Sequence, residues 1–111
     1  MSFKIELSGN FIRSAKKLAK KYPSLKDDLA LLNDELAENP EMGTPLGKNL
    51  YKIRMSIASK SRGKSGGARI ITCVVYKSEQ VLLAEIYDKA QYDTVNDTQI
   101  IKLLKDEGFD I

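Results

Sequence analysis

The chain has 111 residues, 42% apolar and 30% charged, which predicts one soluble globular domain over residues 1–111 with enough length to bury one small core. Its 18 basic and 15 acidic residues leave a net charge of +3. It has no histidine and one cysteine, which excludes an internal disulfide, a Ser-His-Asp or Cys-His nucleophile within one chain, and a zinc site of ordinary composition. No segment approaches the roughly 20 apolar residues of a membrane span, and MSFKIELSGN lacks an apolar signal core, so a cytoplasmic location and no membrane contact are expected.

Phe3 to Leu7 alternates apolar with charged residues and predicts a short half-buried strand, broken by Ser8-Gly9-Asn10. Phe11, Ala15, Leu18 and Tyr22 then recur at helical spacing until Pro23, with Arg13, Lys16, Lys17, Lys20 and Lys21 on the opposite face. Ser24 with Asp27 predicts a capping box for a second helix whose core stripe is Leu25, Leu29, Leu32 and Leu36 and whose outer face is acidic. Asn39-Pro40 stops it, and the two helices form a hairpin. Glu41 to Asn49 is predicted as a loop.

Leu50 to Ala58 alternates again, with Tyr51, Ile53, Met55 and Ile57 on one face and Lys52, Arg54 and Ser56 on the other. SKSRGKSGG, residues 59–67, is predicted as a flexible basic loop. Ala68 to Tyr76 is β-branched and apolar, a central strand in which Cys73 is expected to be a buried thiol. Lys77 to Gln80 turns into a strand from Val81 to Tyr87. Asp88 to Val95 is a polar loop, and Asn96 with Gln99 caps a last helix ended by Gly108. The order β-α-α-β-β-β-α predicts an α+β domain: a small, mainly antiparallel sheet with an N-terminal helical hairpin and a C-terminal helix.

Charge is the strongest functional signal. Between Met42 and Ser78 stand Lys48, Lys52, Arg54, Lys60, Arg62, Lys64, Arg69 and Lys77, and no acid. A strand holds Lys52 and Arg54 on one face, and a hairpin brings Arg69 beside them. Such a cluster suits a phosphate-rich ligand, gripped by arginine through paired hydrogen bonds and by lysine as a point charge. The bland reading is a solvated strand face that discourages edge aggregation. Convergence with a basic loop, and no acid in that window, favours the anionic ligand.

Other features carry less. GKSGG, residues 63–67, is not a nucleotide-binding phosphate loop: Ala58 stands where that motif needs glycine, and a strand follows rather than a helix. In the polar loop, Lys89, Tyr92 and Asp93 offer a cation, a tyrosine to stack on a base or relay a proton, and a carboxylate; a tyrosine packing over the last helix is the alternative. Tyr51 and Tyr87 occupy strand positions and are expected to pack. The cationic face of the first helix is expected to be solvated, with an extension of the polyanion footprint as the alternative.

The segment LYKIRMSIASKSRGKSGGARIITCVV, residues 50–75, resembles the RelE/HigB superfamily of bacterial toxins, as do IYDK at 86–89 and the PSLKDDL and GTPLGKNLYK segments before the central strands. The resemblance covers nearly the whole chain and implies a ribosome-dependent mRNA endoribonuclease of a type II toxin–antitoxin system. It would act in the 30S decoding site and be held inactive by a cognate antitoxin, expected to be small and DNA-binding. It implies an RNA grip by Lys52, Arg54 and Arg69, a further basic residue at Lys89, and Tyr92 or Asp93 completing the site; from the basic window itself, Lys48, Lys60, Arg62 and Lys64 are expected to contact RNA or ribosome. The last helix has no tyrosine, a departure from some relatives.

The chemistry stands without the analogy. RNA carries its own nucleophile, the 2′-OH, so a protein needs no cofactor or metal to cut it. It must orient that hydroxyl, take its proton, and stabilise the phosphorane and the leaving 5′-oxygen, giving a 2′,3′-cyclic phosphate. Clustered cations serve the stabilisation, worth roughly 100- to 1,000-fold per donor. A gyrase-poisoning relative without nuclease activity and a plain nucleic-acid-binding module are the alternatives. The cationic strand face disfavours the first, and the lack of aromatics among Lys52, Arg54 and Ser56 disfavours the second.

Overall fold

The computed structural model describes residues 2–60, 66–89 and 96–111. Among them the chain forms β1 (Lys4–Leu7), α1 (Gly9–Lys21), α2 (Leu25–Glu38), β2 (Thr44–Gly47), β3 (Leu50–Met55), β4 (Ala68–Val75), β5 (Gln80–Asp88) and α3 (Asp97–Asp106). The strands make one sheet in the order β1-β5-β4-β3-β2. β1 runs parallel to β5, and the other pairings are antiparallel.

The sheet is sandwiched. Phe11 and Leu18 of α1 and Leu25, Leu32 and Leu36 of α2 pack on one face, against Ile53, Ile70, Val81 and Leu83. Ile100 and Leu104 of α3 pack on the other, against Leu50, Cys73, Leu82 and Tyr87. Each such side chain contributes about 1.5–3 kcal/mol when fully buried. Covered on both faces and flanked by β3 and β5, β4 is buried along its whole length, which explains its unbroken apolar run. The predicted helical stripes are the observed ones, with Ala15 and Leu29 half-buried at their margins.

Four local predictions need correction. The expected loop before β3 contains an extra edge strand, β2, joined to β3 by the two-residue turn Lys48-Asn49 with φ of 56° and 63°. Paired left-handed residues match the twist of a tight hairpin, and Pro45 is tolerated because β2 is an edge. Ser24 does not cap α2 with its side chain; its hydroxyl donates to the Asp28 carboxylate at 2.8 Å and accepts from the Ser59 amide at 2.9 Å. β3 ends at Met55 rather than Ala58, because Ala58–Lys60 turns into a single 3-10 turn held to α2 by the Ala58 N–H on Asp28. The last strand runs on through Asp88 instead of stopping at Tyr87.

α1 and α3 carry side-chain caps. Ser8 accepts from the Phe11 N–H at 2.9 Å, and Asn96 accepts from the Gln99 N–H at 3.0 Å. Gly108, at φ 94°, follows the end of α3. Glu107 reaches across to α1, where its carboxylate accepts from the Gly9 and Asn10 N–H groups at 2.7 and 3.3 Å. A carboxylate there satisfies donors that have no partner within the helix and sits at the positive end of the helix dipole.

A bulge in β5 decides which side chains share a face. Thr72 faces Leu83 and Ile71 faces Glu85, so Ala84 is the extra residue. The irregularity turns the Glu85 carboxylate toward α1, where it accepts from Asn10 Nδ2 at 2.8 Å and Ser14 Oγ at 2.9 Å. Beyond it the alternation is reset: Ile86 joins the α1/α2 side and Tyr87 the α3 side.

Candidate functional site

The site lies where β3 ends, β4 begins and β5 ends. Arg54 is directly opposite Arg69 across β3 and β4, and Arg69 is directly opposite Tyr87 across β4 and β5. The three form one row across the sheet on the face that also carries α3. Lys52, two residues before Arg54, shares this face, opposite Ile71. Directly opposed side chains in such a ladder have Cβ atoms roughly 4.5–5.5 Å apart, and like charges so placed repel. The fold therefore brings the backbones of two arginines side by side at this end of the sheet.

Burial separates the members. Arg54 is exposed and Lys52 half-buried, but Arg69 is only 2% exposed and Tyr87 1%. The expectation of three cations on one open face is thus corrected for Arg69, which sits on a central strand enclosed by both neighbours. Its Nη1 donates to the Ala68 carbonyl at 3.3 Å. A guanidinium held in this way has few rotamers left to lose when it meets a ligand, whereas Arg54 and Lys52 reach outward.

Lys89 is exposed at the same end of the sheet, one residue beyond β5, and its amide donates to the Gly67 carbonyl at 3.2 Å. Gly67 is required here: a Cβ would clash with the Met55 carbonyl oxygen. The close approach of Gly67 to the end of β3 brings β4 into the sheet and places Lys89 near the arginine row.

The remaining predicted residues divide. Lys48 lies in the β2–β3 turn at the far end of β3, roughly 20 Å from Arg54 at strand rise, near Asp97 (3.8 Å) and the Thr98 hydroxyl (3.4 Å). Lys60, expected in an open loop, turns inward and pairs with the Asp88 carboxylate at 2.7 Å, its side chain 14% exposed. Arg62, Lys64, Tyr92 and Asp93 lie outside the described residues. The cations of α1 are exposed, as expected. Sequence reasoning missed Asp88 and the hydroxyl of Tyr22, whose polar signal was hidden at the ends of apolar stripes.

Among the described residues, no three His, Cys, Asp or Glu side chains are grouped to hold a metal ion, and no helix is long and apolar enough to cross a membrane. What the arrangement offers chemically is a buried guanidinium beside the exposed Arg54 and Lys89 and the half-buried Lys52, a set of cations able to pair with an anion.

No family model matches the chain. Solved structures do. A mutant of the E. coli toxin RelE in the free state superposes with a TM-score of 0.62 at 14% identity, covering 98% of this chain and 100% of that one. The isolated E. coli RelE toxin gives 0.60 at 13% identity, covering 94% and 98%. The intact E. coli RelBE toxin–antitoxin complex gives 0.59 at 17% identity, covering 78% and 96%. The α+β architecture built above, with its five-stranded sheet between a helical hairpin and a last helix, is the fold of the RelE toxin.

Proposed function

We propose that this chain is the toxin of a toxin–antitoxin pair and that it cuts mRNA on the ribosome without a metal ion. The observation that carries the reading is the opposed pair Arg54 and Arg69, on a fold shared with RelE along nearly the whole chain. Arginine grips a phosphodiester through paired hydrogen bonds, and Arg54 with Lys52 presents charge beside Arg69 on the same face of the sheet.

In this reading Arg69 is the rigid donor that meets the scissile phosphate, and Arg54 and Lys52 neutralise its non-bridging oxygens as charge builds. Lys89 approaches from the end of β5, toward the leaving 5′-oxygen or the 2′-OH. With so few groups, the protein supplies charge, and the ribosome supplies alignment of the 2′-OH with the phosphorus. The partner is a cognate antitoxin, a reading supported by the likeness to the intact RelBE toxin–antitoxin complex, and we take it to be small and DNA-binding.

The test is induced expression without antitoxin, followed by 5′-end mapping of cellular mRNA. New ends within translated codons are expected. Intact mRNA with arrested replication would replace this reading with gyrase poisoning.

A further inference from the structure

The exposed face of α1 has no part in the cutting chemistry. Arg13, Lys16, Lys17, Lys20 and Lys21 are all open to solvent, while Phe11 and Leu18 bury the opposite face, followed by Tyr22. Their spacing sets the cations along one side of the helix, over roughly 12 Å of its axis. The helix contains no acidic residue. Among the described residues, no carboxylate forms an ion pair with any of these cations. Glu107, which does reach α1, is held by the Gly9 and Asn10 amides.

Neither the helix dipole nor a plain solvated surface explains this stripe. The dipole favours cations in the last turn, which covers Lys20 and Lys21 but not Arg13, Lys16 and Lys17. A solvated helix is supported by acids four residues from its lysines; here Arg13 and Lys17, Lys16 and Lys20, and Lys17 and Lys21 are like charges at that spacing, which is unfavourable in an isolated helix. The stripe also has a direction. The C-terminal end of α1 reaches the end of the sheet that carries the arginine row: the Tyr22 hydroxyl donates to the Asp88 carboxylate at 2.7 Å, and Asp88 lies opposite Ala68, the neighbour of Arg69. Lys21 Nζ and Lys60 Nζ each lie 5.4 Å from the centre of the Tyr22 ring, and Lys60 pairs with Asp88 at 2.7 Å. Cations thus continue from α1, past Tyr22, to the end of the sheet where Lys89 is exposed.

We propose that the exposed face of α1 is a second RNA contact, which binds the phosphate backbone of double-helical RNA without reading its sequence. Lysines on a rigid helix present point charges that neutralise successive phosphates. Duplex RNA is held mainly through its shape and backbone, and no aromatic stands among these cations to stack on an unpaired base. A lipid surface fits less well, because a helix lying on a membrane turns its apolar face into the lipid, and that face of α1 already packs into the core. The stripe lies across the sheet from the arginine row, so both can be occupied at once. The inference rests on the nuclease reading for the source of the duplex, the ribosome, though not for the contact itself.

The experiment compares the full chain with three variants: Lys16→Gln/Lys17→Gln/Lys20→Gln, the same positions changed to Arg, and Lys4→Gln/Lys77→Gln/Lys105→Gln, which removes equal charge elsewhere. Every one of these positions is exposed, so the melting temperature should hold in each. Binding to a labelled RNA duplex of about 20 base pairs is followed by fluorescence anisotropy across salt concentrations, and binding to phosphatidylglycerol vesicles by sedimentation. The first glutamine variant is expected to hold the duplex at least about tenfold more weakly, with the slope of log affinity against log salt reduced by about two to three. The arginine variant and the displaced-charge variant should stay within about twofold of the parent chain. In cleavage of ribosome-bound mRNA, the loss should fall on KM, with kcat kept. Duplex binding that is absent in the parent, unchanged in the first glutamine variant, or equally lost in the displaced-charge variant would overturn the contact. Vesicle binding lost in the first glutamine variant while the duplex is still held would replace RNA with a lipid surface. Should the parent cut no mRNA yet hold the duplex through these lysines, the contact stands and the nuclease reading alone falls.

Discussion

Arg54 and Arg69 stand directly opposite one another on adjacent strands, yet one is open to solvent and the other is 2% exposed. The same charge in the same row therefore has two different structural costs.

Arg54→Ala is expected to change stability by no more than about 0.5 kcal/mol, as for other exposed positions. Arg69→Ala removes a buried side chain that donates to the backbone and is expected to cost about 1–3 kcal/mol. If both grip the phosphate, each loses roughly 100- to 1,000-fold in cleavage, and Arg69→Lys recovers only part because a point charge lacks the paired donors. Denaturant midpoints beside single-turnover rates check this. Full toxicity in both alanine variants would move the site to Lys89 and the residues after it.

Cleavage is expected to persist under chelator, as far as ribosome integrity allows, and to leave a 2′,3′-cyclic phosphate. The chain has no histidine and one cysteine, so its own side chains favour attack by the 2′-OH. Mass spectrometry of the product ends is the measurement, and a 3′-hydroxyl product would require a different mechanism.

Gly67→Ala forces a methyl group onto the Met55 carbonyl. Backbone is the obstacle, so no rotamer change relieves it, and a loss of at least about 2 kcal/mol is expected. The Lys89 amide also pairs with Gly67, so cleavage should fall even at a temperature where the variant remains folded. A variant with parental melting temperature and activity would show that the two strands are not held this closely in solution.

Burial raises the Cys73 pKa above the usual thiol range. A raised folded pKa contributes stability that is full below the unfolded value of about 8.5 and is lost as pH rises through the folded one. Stability should therefore decline above about pH 8.5, and Cys73→Ser should remove that part of the decline while losing stability overall. Alkylation at pH 7.5 should proceed only as fast as the protein opens, and rapid labelling of the native chain would contradict the burial.

Much of this architecture was legible in the amino-acid pattern because it is local. The stripes Phe11-Leu18-Tyr22 and Leu25-Leu32-Leu36, the Asn96 cap and the alternation of β3 follow from helical or strand periodicity. β2 was not, since Thr-Pro-Leu-Gly has loop composition and the Lys48-Asn49 turn lacks the usual glycine. The β5 bulge was hidden because Ala84-Glu85 disturbs the two-residue period by one position. The row Arg54–Arg69–Tyr87 was half visible: a hairpin predicts the arginine pair, but the bulge decides that Tyr87 faces it. The Lys60–Asp88–Tyr22 cluster was not visible, because nothing near any of the three in sequence announces partners so far along the chain.

The pairing of β1 with β5 has a consequence for synthesis. Lys4 waits for Gln80, and the N-terminus of α1 waits for Glu107. The first half of the nascent chain can form a helical hairpin but has no sheet to pack it on. Tyr87 and Lys89 join the arginine row only after nearly all of the chain has left the exit tunnel. Distant pairings of this kind close late and slowly. A chain released early exposes the edge of β4 and lacks the row, so truncated products should be aggregation-prone and inert.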